Sequence, residues 1–188
     1  MLFLCSCHPI TKHAQMSVCL CHDNSPAKII QPQTSCYTGH MTQFTKEELA
    51  ELLSGEKPLQ LAGLDLNKAS LNNAELSKAD LSGVNLNRAF LDDAKLRYAN
   101  LNRANLEDAS LTGANFHNAT LIEADLSGAN LSRADLSGAD MSGANLSHAN
   151  FSDANLKGVK ITGATFNDFT QWAQDFDPLA AGANRVSQ

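Results

Sequence analysis

From Met41 to the C-terminus the chain contains no cysteine; all five stand earlier, at Cys5, Cys7, Cys19, Cys21 and Cys36. A disulfide framework needs cysteines in the folded body, so disulfides do not hold this fold. There is no run of about 18 apolar residues, which excludes a membrane-spanning helix. Met1–Cys5 is apolar but too short for the hydrophobic stretch of a signal peptide, and no basic stretch precedes it. A cytoplasmic location is the resulting expectation. Base is scarce as well: 14 Lys and Arg stand against 20 Asp and Glu, a net charge of −6. A direct nucleic-acid binder normally carries a basic patch, so that class is not expected.

What the chain does have is a period of five. Every fifth residue from Leu61 to Phe166 is apolar: of 22 members 17 are Leu, three Phe, one Met and one Ile. Two places earlier runs a second series, Leu64 to Ala164, in which 18 of 21 members are Ala. The unit is Ala-polar-Leu-polar-polar, as in Ala104-Asn105-Leu106-Glu107-Asp108. On a helix, successive leucines would precess by about 140° and cover every face. On one long strand, an odd period would alternate them between faces. Only a chain that turns a corner every five residues keeps each Leu inside. The second residue after the Leu is Gly at eight places, among them Gly83, Gly128 and Gly138. Those corners suit a type II turn, which needs positive φ at its third residue. Corners with Lys, Arg or Asp there are expected to use another turn.

The unit resembles the A(D/N)LXX pattern of the pentapeptide-repeat family, over about 21 consecutive units. The resemblance implies a right-handed quadrilateral parallel β-helix, with four pentapeptides per coil and about five coils. Residues 20 apart then become vertical neighbours. Asn85, Asn105, Asp125 and Asn145 form one outward ladder, and Arg88 meets Asp108. The expected organisation is a disordered extension over 1–40, a capping helix within 41–60, the β-helix over 61–168, and an aromatic cap and tail over 169–188. Met41 would serve as an alternative start. Thr45 and Glu48 form a capping box, Phe44 staples to Leu49, the helix covers Lys46–Ser54, and Gly55 ends it. Phe166, Phe169, Trp172 and Phe176 make the far cap. The tail, with Phe176-Asp177-Pro178 and Ala181-Gly182-Ala183, is similar to those of cyanobacterial members of the family.

Chemistry is sparse. A filled β-helix offers flat or convex sides and no pocket, so no catalytic residues and no cofactor are expected. His117 and His148 fall on opposite sides, about one and a half coils apart. Asp92-Asp93 and Glu107-Asp108 are adjacent carboxylates at exposed corners, read as solvated charge. The doubled Cys5-Ser6-Cys7-His8 and Cys19-Leu20-Cys21-His22 has zinc-ligand chemistry. Its spacing is not that of a finger and apolar support is lacking, so no metal is expected.

Some pentapeptide-repeat proteins mimic DNA and protect DNA gyrase, which needs a dense line of carboxylates in place of phosphates. Sorted by side, the charges net −3 on the side of Leu66, −2 on that of Leu71, +2 on that of Leu76 and −1 on that of Leu81. No side carries a continuous acidic stripe, so gyrase protection stands as the alternative function. The preferred reading is a non-enzymatic scaffold or regulator that binds an unknown protein partner and is itself monomeric. Outward apolar residues are rare: Phe90, Tyr98 and Ile122. Phe90 and Tyr98 flank Lys95 and Arg97, and aromatics beside Arg are what interface hot spots favour. Phe90, Lys95, Arg97 and Tyr98 are therefore the candidate interaction patch.

Overall fold

Each backbone N–H of a repeat has its own destination, and together these fix the geometry. In the unit Ala104–Asp108, the Ala104 N–H closes the corner onto Leu101 O at 3.0 Å. Asn105 N donates down to Val84 O at 2.9 Å, while Leu106 N and Asp108 N donate to Asp125 O at 2.7 Å and Ser127 O at 2.9 Å. The fifth, Glu107 N, has no carbonyl within reach and donates to Asn105 Oδ1 at 3.0 Å. That fifth bond explains the Asn or Asp before so many leucines. Where the position holds Phe90, Ser110 or Thr120, the acceptor comes from the preceding coil; after Glu75 and Lys95 there is none among the described residues. Asn72, Asp92 and Asn102 cap the N–H groups of Asp92, Thr112 and Ile122, each at 2.9 Å.

The computed structural model describes residues 7–9, 17–19, 44–55 and 57–187. Two units are separable, Met1–Met41 and Thr42–Gln188. In the first, β1 (Cys7–Pro9) pairs antiparallel with β2 (Ser17–Cys19), with Cys7 opposite Cys19. The remainder of 1–43 lies outside the described residues, and with it the expectation of disorder. The thiol and imidazole groups proposed as zinc ligands lie outside them too.

The second unit is a parallel β-helix. Single-residue bridges join positions 20 apart, as in Gln60–Asp80–Asn100–Thr120–Asp140–Lys160. Four pentapeptides therefore make one coil. At about 4.8 Å per coil the five steps of this column span about 24 Å. The Leu series is 8% exposed or less throughout, and from Ala79 to Ala154 the Ala series is as well. Leu64, Ala69, Ala74 and Val159, nearer the ends, are only partly buried.

All 21 corners turn out alike. The third corner residue has positive φ whether it is Gly or not: Lys68 57°, Tyr98 59°, Asp108 55°, Arg133 61°, Gly128 69°. The expected second turn type for Lys, Arg and Asp corners is absent. The reason is the ladder itself, since the N–H of each such residue must reach the carbonyl one coil on, as Lys68 N does to Asn87 O at 2.9 Å. Hydrogen bonds above and below over-determine the corner and hold a side chain where it is unfavourable.

Both ends are closed. Helix α1 (Lys46–Leu53) carries the expected capping box: Glu48 N donates to Thr45 Oγ1 at 3.2 Å and Thr45 N to Glu48 Oε2 at 2.8 Å. It ends on Ser54 in ordinary right-handed conformation, one residue earlier than expected and without a left-handed Gly55. Leu49 is buried, and Phe44, Leu52 and Leu53 pack on the first coil. At the far end the register slips to 21 between Asn150 and Gln171. Buried Asn167 and Thr170 absorb the extra residue; Asn167 Oδ1 accepts His148 N at 3.1 Å and Thr170 Oγ1 donates to Leu146 O at 3.0 Å. Trp172 stacks on Phe151 at 4.9 Å, meets Phe166 edge-on at 5.6 Å and Phe176 at 5.2 Å. Phe169 departs from this cluster: it is exposed and stacks on His148 instead. The tail is more than an aromatic plug. Strand β3 (Thr165–Phe166) pairs in parallel with β4 (Asn184–Arg185), adding a rung of sheet. No helix among the described residues is long and apolar enough to cross a membrane.

Candidate functional site

Along the sides of the rod the ladders and the Asn/Asp caps consume most backbone donors; exceptions such as Ser77 N and Arg97 N, which follow Glu75 and Lys95 and so lack an Asx cap, stand singly between spent neighbours. Whatever the molecule recognises along its sides, it recognises with side chains. Several charged side chains pair with one another across a coil. Arg88 pairs with Asp108 at 3.3 Å, as expected from their spacing; Arg103 pairs with Glu123 at 2.8 Å and Lys160 with Asp140 at 3.8 Å.

Of the four patch residues, the structure joins two. The Arg97 guanidinium lies 5.8 Å from the centre of the Tyr98 ring, within cation–π range. Lys95 is engaged elsewhere, in an ion pair with Glu75 of the preceding coil. Phe90 is 50% exposed, as Tyr98 is, but stands in the row Ser70–Phe90–Ser110 and makes no ring contact with Tyr98.

Tyr98 draws in residues that the sequence reading left out. Its ring meets His117 edge-on at 5.8 Å. Hydrogen bonds from Asn118 and then Arg97, with the charges of Arg97 and Lys78 behind them, outweigh slight desolvation and hold the phenol below its usual pKa. Lys78, Tyr98 and Asn118 share one corner at successive coils, so the 20-residue spacing was the signal that could have found them.

A chain of polar contacts continues from there. Asn118 Nδ2 lies 3.0 Å from His117 Nε2, and His117 Nδ1 lies 2.8 Å from Ser137 Oγ. Ser137 Oγ donates to Asp135 Oδ1 at 2.7 Å. Burial alone would raise the Asp135 pKa, but the Ser137 hydroxyl and N–H, the charge of His117 and the Asn155 amide bring it below the usual carboxylate range. The residue types are those of a hydrolytic triad, and the connectivity is not. A nucleophilic Ser hands its proton to His; here the Ser137 proton points at Asp135 and the imidazole faces the hydroxyl oxygen.

Elsewhere on the surface a shallow open depression of ≈ 460 Å³ lies on the Leu81 side, between Asn102, Ile122 and the Arg103–Glu123 pair. Among the described residues no group of three or more His, Cys, Asp or Glu is arranged to hold a metal ion. The row Asp65–Asn85–Asn105–Asp125–Asn145 mixes two carboxylates with three amides, linked by bonds such as Asn85 Nδ2 to Asp65 Oδ1 at 2.8 Å.

The family model for pentapeptide repeats matches residues 60–93, 89–128 and 129–168. No curated protein matches the chain. Among solved structures, a pentapeptide repeat protein from Nostoc PCC 7120 is 34% identical, over 70% of this chain and 100% of that one, with a TM-score of 0.39. Rfr23, a pentapeptide repeat protein from the cyanobacterium Cyanothece 51142, is 28% identical over 60% of this chain and 90% of that one, with a TM-score of 0.37. A pentapeptide repeat protein from the Arabidopsis thaliana thylakoid lumen is 32% identical over 58% and 66%, with a TM-score of 0.27.

Proposed function

The chain belongs to the pentapeptide-repeat family, whose members fold as right-handed β-helices, and from that premise we propose that it is a non-enzymatic scaffold that binds a partner protein through the side carrying Leu76, Leu96 and Phe116. The observation that carries this reading is Tyr98. A large aromatic stands half-exposed at a corner where its own backbone is strained, with φ of 59°. Folding alone would favour Gly or Asn there. The strain is common to all thirteen non-glycine corners; what sets Tyr98 apart is the exposed aromatic ring, and a braced aromatic beside Arg loses little entropy when a partner covers it.

The non-enzymatic reading is supported by the largely consumed backbone donors and by the Ser137 hydroxyl donating to Asp135. An oxyanion site would need N–H groups converging on one point, and the N–H of Arg97 stands alone between Leu96 N and Tyr98 N, which are spent on Asn115 O and His117 O. DNA mimicry directed at gyrase is the competing function. It would need an unbroken line of carboxylates, and the row from Asp65 to Asn145 breaks them with three amides.

Affinity capture from an extract of the source organism tests the scaffold reading, with Tyr98→Ser protein alongside as the control. A partner retained by the native chain and lost by the variant is expected. Identical captures by both would overturn the proposed side. Gyrase supercoiling is expected to be unaffected at micromolar protein; inhibition would favour the mimic.

A further inference from the structure

The side of the rod that carries Tyr98 also holds the most cations without an ion pair, three among the described residues, against Lys68 alone on the Leu66 side and Arg133 alone on the Leu71 side. Among the described residues Lys78, Arg97 and Lys157 make no ion pair, and all three lie on this side. Its two carboxylates are already committed, Glu75 to Lys95 and Asp135 to Ser137 and Asn155. The result is a positive strip on a chain of net charge −6. Lys78 and Lys157 are about four coils apart, or about 19 Å along the axis. An extended peptide rises about 3.3 Å per residue, so about six residues span the strip.

We infer that this strip docks an extended acidic segment of the partner protein, about six residues long, laid along the rod axis with its carboxylates on Lys78, Arg97 and Lys157 and its backbone passing over Tyr98. The inference rests on the scaffold reading above and names the chemistry of the partner. Three features select this occupant. The strip is one side wide, while the sides of Leu66, Leu71 and Leu81 net −3, −2 and −1. A long polyanion such as nucleic acid overhangs a strip this narrow and meets those negative sides directly, where a short segment does not, and the repulsion is strongest at low salt. The sides have no open sheet edge, so the segment cannot bind by adding a strand and must be held through its side chains. A phosphate would look for a nest of successive N–H groups, and around Arg97 N the neighbouring Leu96 N and Tyr98 N are spent on Asn115 O and His117 O.

The test is fluorescence anisotropy with a fluorescein-labelled hexaglutamate peptide, on the full chain, at about 20 and 150 mM salt. Saturable, salt-sensitive binding is expected, weakened about tenfold or more by Lys78→Glu, Arg97→Glu. The pair Lys68→Glu, Arg133→Glu makes the same change of net charge on other sides and is expected to shift affinity less than about twofold. Equal weakening by the two pairs would show that only net charge matters and would overturn the inference. So would the absence of saturable binding, or tighter binding of a labelled dT6 oligonucleotide. Circular dichroism checks the fold of each variant. Lys78→Ala, Arg97→Ala serves if the charge reversal unfolds, with the same expected direction. If hexaglutamate fails to bind while Tyr98-dependent capture of a partner persists, the acidic segment is wrong and the scaffold stands.

Discussion

A single corner residue contains the conflict that runs through this molecule: local preference against the demands of the ladder. Thirteen corners hold a non-glycine residue at positive φ, from Lys68 to Asp153. Arg133 is such a case, with φ of 61° and no ion pair among the described residues. Arg133→Gly relieves the backbone at the cost of a looser unfolded chain, and should raise stability by about 0.5–1 kcal/mol in urea titration. Gly128→Ala runs the other way. Its φ is 69°, and an added Cβ would lie 2.4 Å from Asp108 Oδ1, so a loss of about 1 kcal/mol is expected. If both substitutions move stability in one direction, the corner account is wrong. Tyr98 offers a readout of its own. There are only two tyrosines, Tyr37 and Tyr98, so absorbance titration of Tyr37→Phe protein follows Tyr98 alone. Its phenol should ionise below the usual value, and Asn118→Ala should bring it back up; no movement would remove Asn118 from the site.

At the scale of the element, the repeating unit is a corner plus one capped N–H, and the cap decides the sequence. Asp135 takes three hydrogen bonds on one oxygen: Ser137 N at 3.1 Å, Ser137 Oγ at 2.7 Å and Asn155 Nδ2 at 3.0 Å. Asp135→Asn keeps an acceptor there and should be mild. Asp135→Ala leaves the Ser137 N–H without its partner and should cost about 1–3 kcal/mol. The folded-state pKa of Asp135 is depressed, so its ionised form contributes stability above the unfolded pKa of about 3.9. That contribution is lost as pH falls through the lower folded value. Native protein should therefore lose stability below about pH 4 more steeply than Asp135→Asn, and matching acid profiles would contradict the assignment. This scale also shows why the sequence is easier to read inside than out. The Leu and Ala series face a single environment, and a period is enough to place them. Corner dihedrals depend on hydrogen bonds to residues 19 positions away, which no local pattern of Lys, Arg or Asp reveals. The aromatic-basic patch was half legible for the same reason. Arg97 and Tyr98 are neighbours in sequence, whereas Lys78, His117 and Asn118 join them only through the coil, and Phe90 falls to another row.

At the scale of the whole β-helix, each coil touches only its neighbours, so stability adds along one axis and the ends become the weak points. Leu106 is fully buried in the middle, and Leu106→Ala should cost about 2–5 kcal/mol, since the rigid ladders above and below oppose collapse of the cavity. Because it breaks coil-to-coil contact at the centre, the loss should appear at amides on both sides of the defect. Trp172 acts differently. It is half-buried at the end, between Phe151, Phe166 and Phe176, and it covers the last coil rather than joining two. Trp172→Ala should therefore fray the rod from one end. In native-state hydrogen exchange, the Asn184 and Gln171 amides, which donate to Ala164 O at 2.7 Å and Ala149 O at 2.9 Å, should lose protection first. The Asn105 and Ser110 amides, several coils away, should keep theirs. Protection lost uniformly along the chain would mean that the rod unfolds as one cooperative block, and that its two closed ends serve to shield the core from other chains rather than to hold the coils in place.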